Sequence, residues 1–506
     1  MRLRALLLAS CCAALCAGVD LRAQSENSLI EAIRAGDTQA ARALLKQRAL
    51  VNRAEPDGTT ALHWAARMDD LSLVQALLRA GANPNATNRY GSVPLELAAV
   101  NGSAPVLDVL LQAGADPKVT LADGETLLMT ASRTGRVDAM RLLLARGVDV
   151  NAQERWLGET ALIWAAAENH ADAVRVLAEA GASLNTTAKK LQFPRKISGQ
   201  TTLPVGGMTA LMYAARQGAA DAVRALVELG ADLNVQDADG TSAIVLAIIN
   251  GHYDIAITLV EKGADSSVAD SAGMAALYAA VDMNTAPYMH GRPAPKPSGR
   301  YSPADLVKVL LDHRADPNQR LKTATLRRHN SAGIQSLGDG TTPLMRAAYS
   351  GDVPLMRVLL AHGADPKLTQ KNGTTLVMLS SGFGRRGDHN ADSQEFERGT
   401  PEELLQSLKL CVELGLDVTT ANEQGDTALH VAAGAEIVRY LVEHGARLDV
   451  TNKRNHTPLD AALARVDKSD RQLRPDAVAA LRQLGGVTGK QLSAGVQKGS
   501  PTRVTP

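Results

Sequence analysis

The sequence predicts an all-α protein, an array of short helix pairs in which one unit is repeated about 12 times. Three observations point this way. A Gly-x-Thr signature returns with a base period of 33 residues, and a fixed period of that length marks a stacked repeat architecture. The chain has 506 residues but only 3 Phe, 8 Tyr and 3 Trp, while 45% of it is hydrophobic. Its core must therefore be built from Ala, Leu and Val, the chemistry of closely packed helices rather than of a β-sandwich.

The first element is an export signal over 1–23. Arg2 and Arg4 precede Ala5–Val19, a stretch of 15 residues without a charge. That is too short to span a bilayer and suits the apolar segment of a signal peptide. Ala23 before Gln24 is the expected cleavage point, and Leu8-Ala9-Ser10-Cys11 offers a lipid-anchored alternative. No later stretch is apolar for a membrane span. Only Cys411 remains after cleavage, so no intramolecular disulfide is expected.

Residues 24–56 read as an N-terminal capping repeat, and 57–453 as the array. Asp57-Gly58-Thr59-Thr60-Ala61-Leu62-His63 recurs as Asp123-Gly124-Glu125-Thr126-Leu127-Leu128, as Asp239-Gly240-Thr241-Ser242-Ala243-Ile244 and as Asp339-Gly340-Thr341-Thr342-Pro343-Leu344. Repeats begin at 57, 90, 123, 157, 206, 239, 272, 339, 372, 424 and 454. The glycine suits a turn with positive φ, and Thr60 or its equivalent caps a helix. Pro94, Pro343 and Pro458 fall at the first helical position, where no N–H is missed. A second helix shows Val74, Leu77 and Leu78 on one face and stops at Gly81. Residues 454–486 read as a divergent C-terminal cap and 487–506 as a disordered basic tail.

These residues resemble the ankyrin repeat. Thr-Ala-Leu-His at 60–63 and 427–430 is close to that family's Thr-Pro-Leu-His, and Gly-Ala-Asp at 114–116, 230–232, 263–265 and 363–365 matches its unit end. The resemblance covers about 28–486. It implies a solenoid of about 12 helix-turn-helix units with β-hairpin fingers, a concave partner-binding face and no catalysis. Its likeness to exported bacterial ankyrin proteins implies the periplasm or the extracellular space. The alternative of a different class is a secreted effector or toxin-associated factor acting outside the producing cell.

Departures from the period mark the candidate functional regions. Insertions fall near 189–205, 284–303, 322–337 and 383–400. The first carries Lys189, Lys190, Arg195 and Lys196 with no acid, and the third carries Lys322, Arg327 and Arg328 with no acid. Trp64, Trp164, Tyr213 and Arg346 share one slot, which the resemblance places on the concave side. Trp156 falls at a finger tip, and Phe193 lies inside the basic finger. Rings supply interface area at low entropy cost, and cations steer an acidic ligand. Apart from Lys322, these residues, twelve in all, form the candidate site for a protein partner, expected to be acidic and of unknown identity, with the chain a monomer.

The balance of 54 Lys+Arg against 53 Asp+Glu argues against a nucleic-acid binder. No cofactor and no metal are expected. Gly382-Phe383-Gly384-Arg385-Arg386-Gly387 matches a dinucleotide fingerprint as a string but lies between two helices of one repeat. Asp388, Asn390 and Asp392 begin like a calcium loop, yet Ser393 and Gly399 stand where that loop needs Gly and Glu.

Overall fold

The structure is a computed structural model that describes residues 28–121, 123–198, 201–285, 299–323, 337–383, 399–466 and 475–498. The chain forms two compact bodies. One runs to Lys189 and is rejoined by Gly207–Asp232; the other comprises Lys190–Gly206 and the chain from Leu233.

The first body opens with α1 (Ser28–Arg34), α2 (Thr38–Leu44) and α3 (Arg48–Val51). Helix pairs follow: α4 (Ala61–Arg67) with α5 (Leu71–Arg79), then α6 (Pro94–Asn101) with α7 (Ala104–Gln112). Next come α8 (Leu127–Arg133) with α9 (Val137–Ala145), and α10 (Ala161–Ala167) with α11 (Ala171–Glu179). The pair α12 (Ala210–Gln217) and α13 (Ala220–Glu228) closes it. First helices pack on first helices, α4 on α6, α6 on α8, α8 on α10 and α10 on α12. Second helices do the same, α5 on α7, α7 on α9, α9 on α11 and α11 on α13. Each pair thus buries its faces against its neighbours, the energetics of a repeat stack.

The second body holds the antiparallel strands β1 (Lys190–Ser198) and β2 (Thr201–Gly206), in register at Lys190 and Gly206. Its pairs are α14 (Ala243–Ile249) with α15 (Tyr253–Glu261), and α16 (Ala276–Thr285) with α17 (Pro303–Asp312). Then come α18 (Pro343–Tyr349) with α19 (Val353–Ala361), and α20 (Leu376–Ser380) with α21 (Pro401–Glu413). A 3₁₀ turn, Ala428–Val431, pairs with α22 (Ala435–Glu443). The last helices are α23 (Pro458–Val466), α24 (Pro475–Gln483) and α25 (Gly489–Lys498).

Local chemistry explains these boundaries. Thr126 caps α8 by accepting the Met129 N–H, and Asp70 caps α5 by accepting the Leu73 N–H at 3.0 Å. Gly58 turns with φ 87°, and a Cβ there would lie 3.0 Å from the Asn88 backbone of the next repeat. First helices present Ala61, Ala65 and Ala66, all fully buried, so neighbouring backbones approach closely. Second helices supply the larger groups, Val74 and Leu77 among them, also fully buried.

An asparagine ladder ties successive repeats. Asn52 donates to the Gly81 carbonyl at 2.8 Å and accepts the Asn83 N–H at 2.7 Å. Asn85 repeats this with Gly114 and Asp116, Asn151 with Gly181 and Ser183, and Asn318 with Gly363 and Asp365.

Among the described residues the sheet β1–β2 is the only pair of strands; the shorter junctions are turns, with single bridges at Ala54–Thr60 and Thr120–Thr126. There one backbone bond closes the turn, the Asn88 N–H donating to the Ser92 carbonyl at 3.1 Å, and Asn88 Oδ1 accepts both the Tyr90 and the Ser92 N–H. One expectation, a disordered tail from 487, needs correction. The tail from 487 carries α25, because Gln491 Oε1 accepts the Thr488 N–H and Asp460 Oδ2 accepts the Gly489 N–H at 2.7 Å. Residues 1–23, Arg327 and Arg328, and most of the 284–303, 322–337 and 383–400 insertions lie outside the described residues.

Candidate functional site

In the first body, the ring slot holds Trp64 on α4, Trp164 on α10 and Tyr213 on α12, each half-buried. Trp64 donates its indole N–H to Glu55 Oε2 at 2.8 Å, with the Arg34 and Arg67 guanidiniums 5.0 and 5.6 Å from its ring centre. Trp164 donates to Glu159 Oε2 at 2.8 Å, and Arg133 stands 4.9 Å over its ring. Tyr213 hydrogen-bonds the same Glu159 and has Arg216 4.8 Å from its ring. Burial first, and then Glu159, hold the Tyr213 hydroxyl well above the usual tyrosine range. Each ring is thus fixed at its polar end by an acid and covered on a face by an arginine, an attraction of cation–π type.

Trp156 is displayed differently. Its side chain is 77% exposed, on a turn whose N–H groups converge on one buried carboxylate. Glu154 accepts from the backbone N–H of Trp156 at 2.5 Å, of Leu157 at 2.7 Å and of Glu159 at 2.9 Å. The repeat ending here is 34 residues long instead of 33. At the 33-residue junction, Asp237 takes the Asp239 and Thr241 N–H groups in the same manner. The extra residue widens the turn, and Glu has the extra methylene to span it. Lys189 is exposed beside this turn, with its Nζ donating to the Arg155 carbonyl at 2.5 Å.

The second body holds Lys190, Phe193, Arg195 and Lys196 on β1 and Arg346 on α18. Lys190 is exposed. Arg346 corrects the sequence expectation: it is 1% exposed, not a surface residue. Its Nε donates to Asp282 Oδ1 at 2.5 Å and its Nη1 to Ser350 Oγ at 2.5 Å. Burial alone would lower its pKa, but Asp282 and Tyr278 outweigh that and hold it above the usual arginine value. The acid on neighbouring α16 draws the guanidinium inward, whereas the equivalent residue in the first body, Trp64, is half-buried.

The site residues that sequence reasoning missed are the acids. Glu159 stands five residues before Trp164, and Glu125 stands five before Thr130, whose hydroxyl it accepts at 2.6 Å. An acid at that offset was the available signal. Among the described residues no cluster of metal-ligating side chains forms, and no helix is long and apolar enough to cross a membrane. Cys411 is fully buried, and burial pushes its thiol up to about 12.

The family comparison agrees with this architecture. A family model described as ankyrin repeats (3 copies) matches residues 5–88, 95–188, 191–270, 211–287 and 397–481, and a single ankyrin repeat model matches 339–371. Among solved structures, the human ASB11 ankyrin repeat domain is 28% identical, with a TM-score of 0.40; the match covers 47% of this chain and 98% of that one.

Proposed function

Because the chain belongs to the ankyrin-repeat family, we propose that it is an exported, non-catalytic scaffold that binds an acidic protein partner. Ankyrin repeats generally mediate protein–protein interaction, and proteins of this family are generally interaction modules without catalysis. In this reading about 12 repeats form the array, with hairpin fingers and the concave face as the binding surface. The observation that carries it is the ring set of the first body. Trp164 and Tyr213 are pinned by one carboxylate, and Trp156 projects from a turn built around Glu154. Pre-fixed rings lose little entropy on binding and are the residue types that dominate interface energetics. The cations Lys189 and Lys190 are exposed, and Arg195 and Lys196 follow on β1. Their shared sign favours an acidic partner and speeds its approach.

Export rests on Arg2 and Arg4 before the uncharged Ala5–Val19. Mass spectrometry of the protein from an envelope fraction should find an N-terminus near Gln24. An intact Met1 in the cytosol would overturn this part of the reading. For the partner, capture from that fraction is compared between the wild type and a Lys189, Lys190, Arg195, Lys196→Ser variant. The captured protein's association rate should fall in the variant and lose its salt dependence. Equal rates at two salt concentrations would remove the finger from the site.

A further inference from the structure

A cleft of about 620 Å³ opens in the first body between α2–α3 and α5, away from the ring slot. Arg42, Lys46, Arg48 and Arg79 line it, over a floor that includes Leu45 and Ala76, and no acid lines it. The chain from 38 to 54 and from 71 to 95 contains no Asp or Glu at all. Asp37 and Asp70, the acids that precede α2 and α5, are occupied as helix caps, accepting the Ala40 and Leu73 N–H groups; Asp70 also accepts the Ser72 hydroxyl.

The arginines of later second helices behave otherwise. Arg175 pairs with Glu228 at 2.8 Å, Arg141 with Glu179 at 3.8 Å and Arg146 with Asp108 at 3.8 Å. No ion pair reaches Arg42, Lys46, Arg48 or Arg79 among the described residues; Arg79 only turns its Nε to the Gln75 carbonyl at 3.2 Å. Four like charges around one opening repel each other and attract a counter-charge.

We propose that this cleft binds a phosphate-bearing anion with several negative charges, either a free oligophosphate or a phosphorylated headgroup. Four cations exceed what one carboxylate can neutralise. Three of the four are arginines, whose planar forks match phosphate oxygens in pairs. The Gln75 amide adds a neutral donor at the cleft wall. The site recognises phosphate by charge and donor geometry and is independent of the protein partner proposed above.

Titration calorimetry of the full chain with sodium tripolyphosphate at low salt tests this. Wild type should bind saturably. The pair Arg48→Gln and Arg79→Gln should weaken binding by about tenfold or more, since each hydrogen bond to a charged group contributes that much. The pair Arg141→Gln and Arg175→Gln, which removes the same charge from ion-paired positions, should leave binding unchanged, and circular dichroism checks that all forms fold alike. Co-sedimentation with phosphatidylglycerol vesicles that depends on Arg48 and Arg79 assigns the headgroup source; tripolyphosphate binding without it assigns the soluble one. Absence of saturable binding to both probes, equal loss in both variant pairs, or equally tight binding of oligoglutamate overturns the proposal.

Discussion

Glu159 accepts the indole N–H of Trp164 at 2.8 Å, and the same carboxylate hydrogen-bonds the hydroxyl of Tyr213 in the following repeat. One acid therefore sets the orientation of two rings on adjacent helices. Glu159→Gln keeps the shape and removes the charge. Tyr213 should then ionise at a lower pH than in the wild type, yet still above an ordinary tyrosine, because burial is the larger cause of its shift. The raised pKa means that stability is complete below the unfolded value and falls as pH rises above it, and the variant should show less of that fall. An ultraviolet tyrosinate titration, with Tyr213→Phe to assign the band, reads the shift. An unmoved curve would break the link between the two residues.

The two tryptophans should separate binding from folding. Trp156 is exposed, so Trp156→Ala should leave stability within about 0.5 kcal/mol of the wild type. Trp164 is half-buried and tied to Glu159, so Trp164→Ala should weaken partner binding by about 2 kcal/mol, mainly through faster dissociation. Denaturant midpoints and dissociation rates, measured side by side, check both. A large loss of stability on removing Trp156 would show that its turn depends on the ring and not on Glu154.

Arg346 and Asp282 form a buried pair, their side chains 1% and 10% exposed. Breaking one partner leaves the other charge without compensation, which costs about 3–5 kcal/mol. Arg346→Met should therefore be strongly destabilising, and Arg346→Met with Asp282→Leu should recover much of the loss. Urea unfolding of the single and double variants decides it. A double variant no more stable than the single would mean that the pair is not the unit that matters.

The repeat architecture was legible because its signals are local. Gly58, the Thr60 cap and the Val74–Leu77 face each act within one 33-residue period, and they recur. The asparagine ladder is legible in the same way, since Asn85, Asn151 and Asn318 each stand four residues after a helix-ending Gly81, Gly147 or Arg314. Arg346 was not legible: what buries it is Asp282, 64 residues earlier. Its slot is half-exposed where Trp64 and Trp164 occupy it, so the slot alone does not decide exposure. The cleft was equally hidden. Arg42 and Arg79 lie in different repeats, and only the packing of second helices brings their charges together. The Glu154 turn needed the one-residue change of period to be read as a change of side-chain reach.

His63 offers a test by pH. Its Nδ1 lies 3.1 Å from the Thr60 N–H, which can only donate, so Nδ1 accepts. The ring proton must then sit on Nε2, which donates to the Ser92 carbonyl of the next repeat at 3.1 Å. This arrangement needs a neutral imidazole, and burial, the largest influence, lowers the His63 pKa below 6.5. The folded chain therefore holds fewer protons on His63 than the unfolded chain as the pH drops. The stabilising contribution is complete above about pH 6.5 and is lost as pH falls from there through the lower folded value. His430 has the same geometry, with Nδ1 3.1 Å from the Thr427 N–H and Nε2 3.1 Å from the His456 carbonyl. His63→Gln should lower stability at neutral pH, because the bridge to Ser92 is weakened, but should flatten the fall below about pH 6.5. Denaturant unfolding at half-unit pH steps compares the two slopes. If wild type and variant lose stability in parallel over that range, His63 is already protonated in the fold and the tautomer argued from Thr60 is wrong.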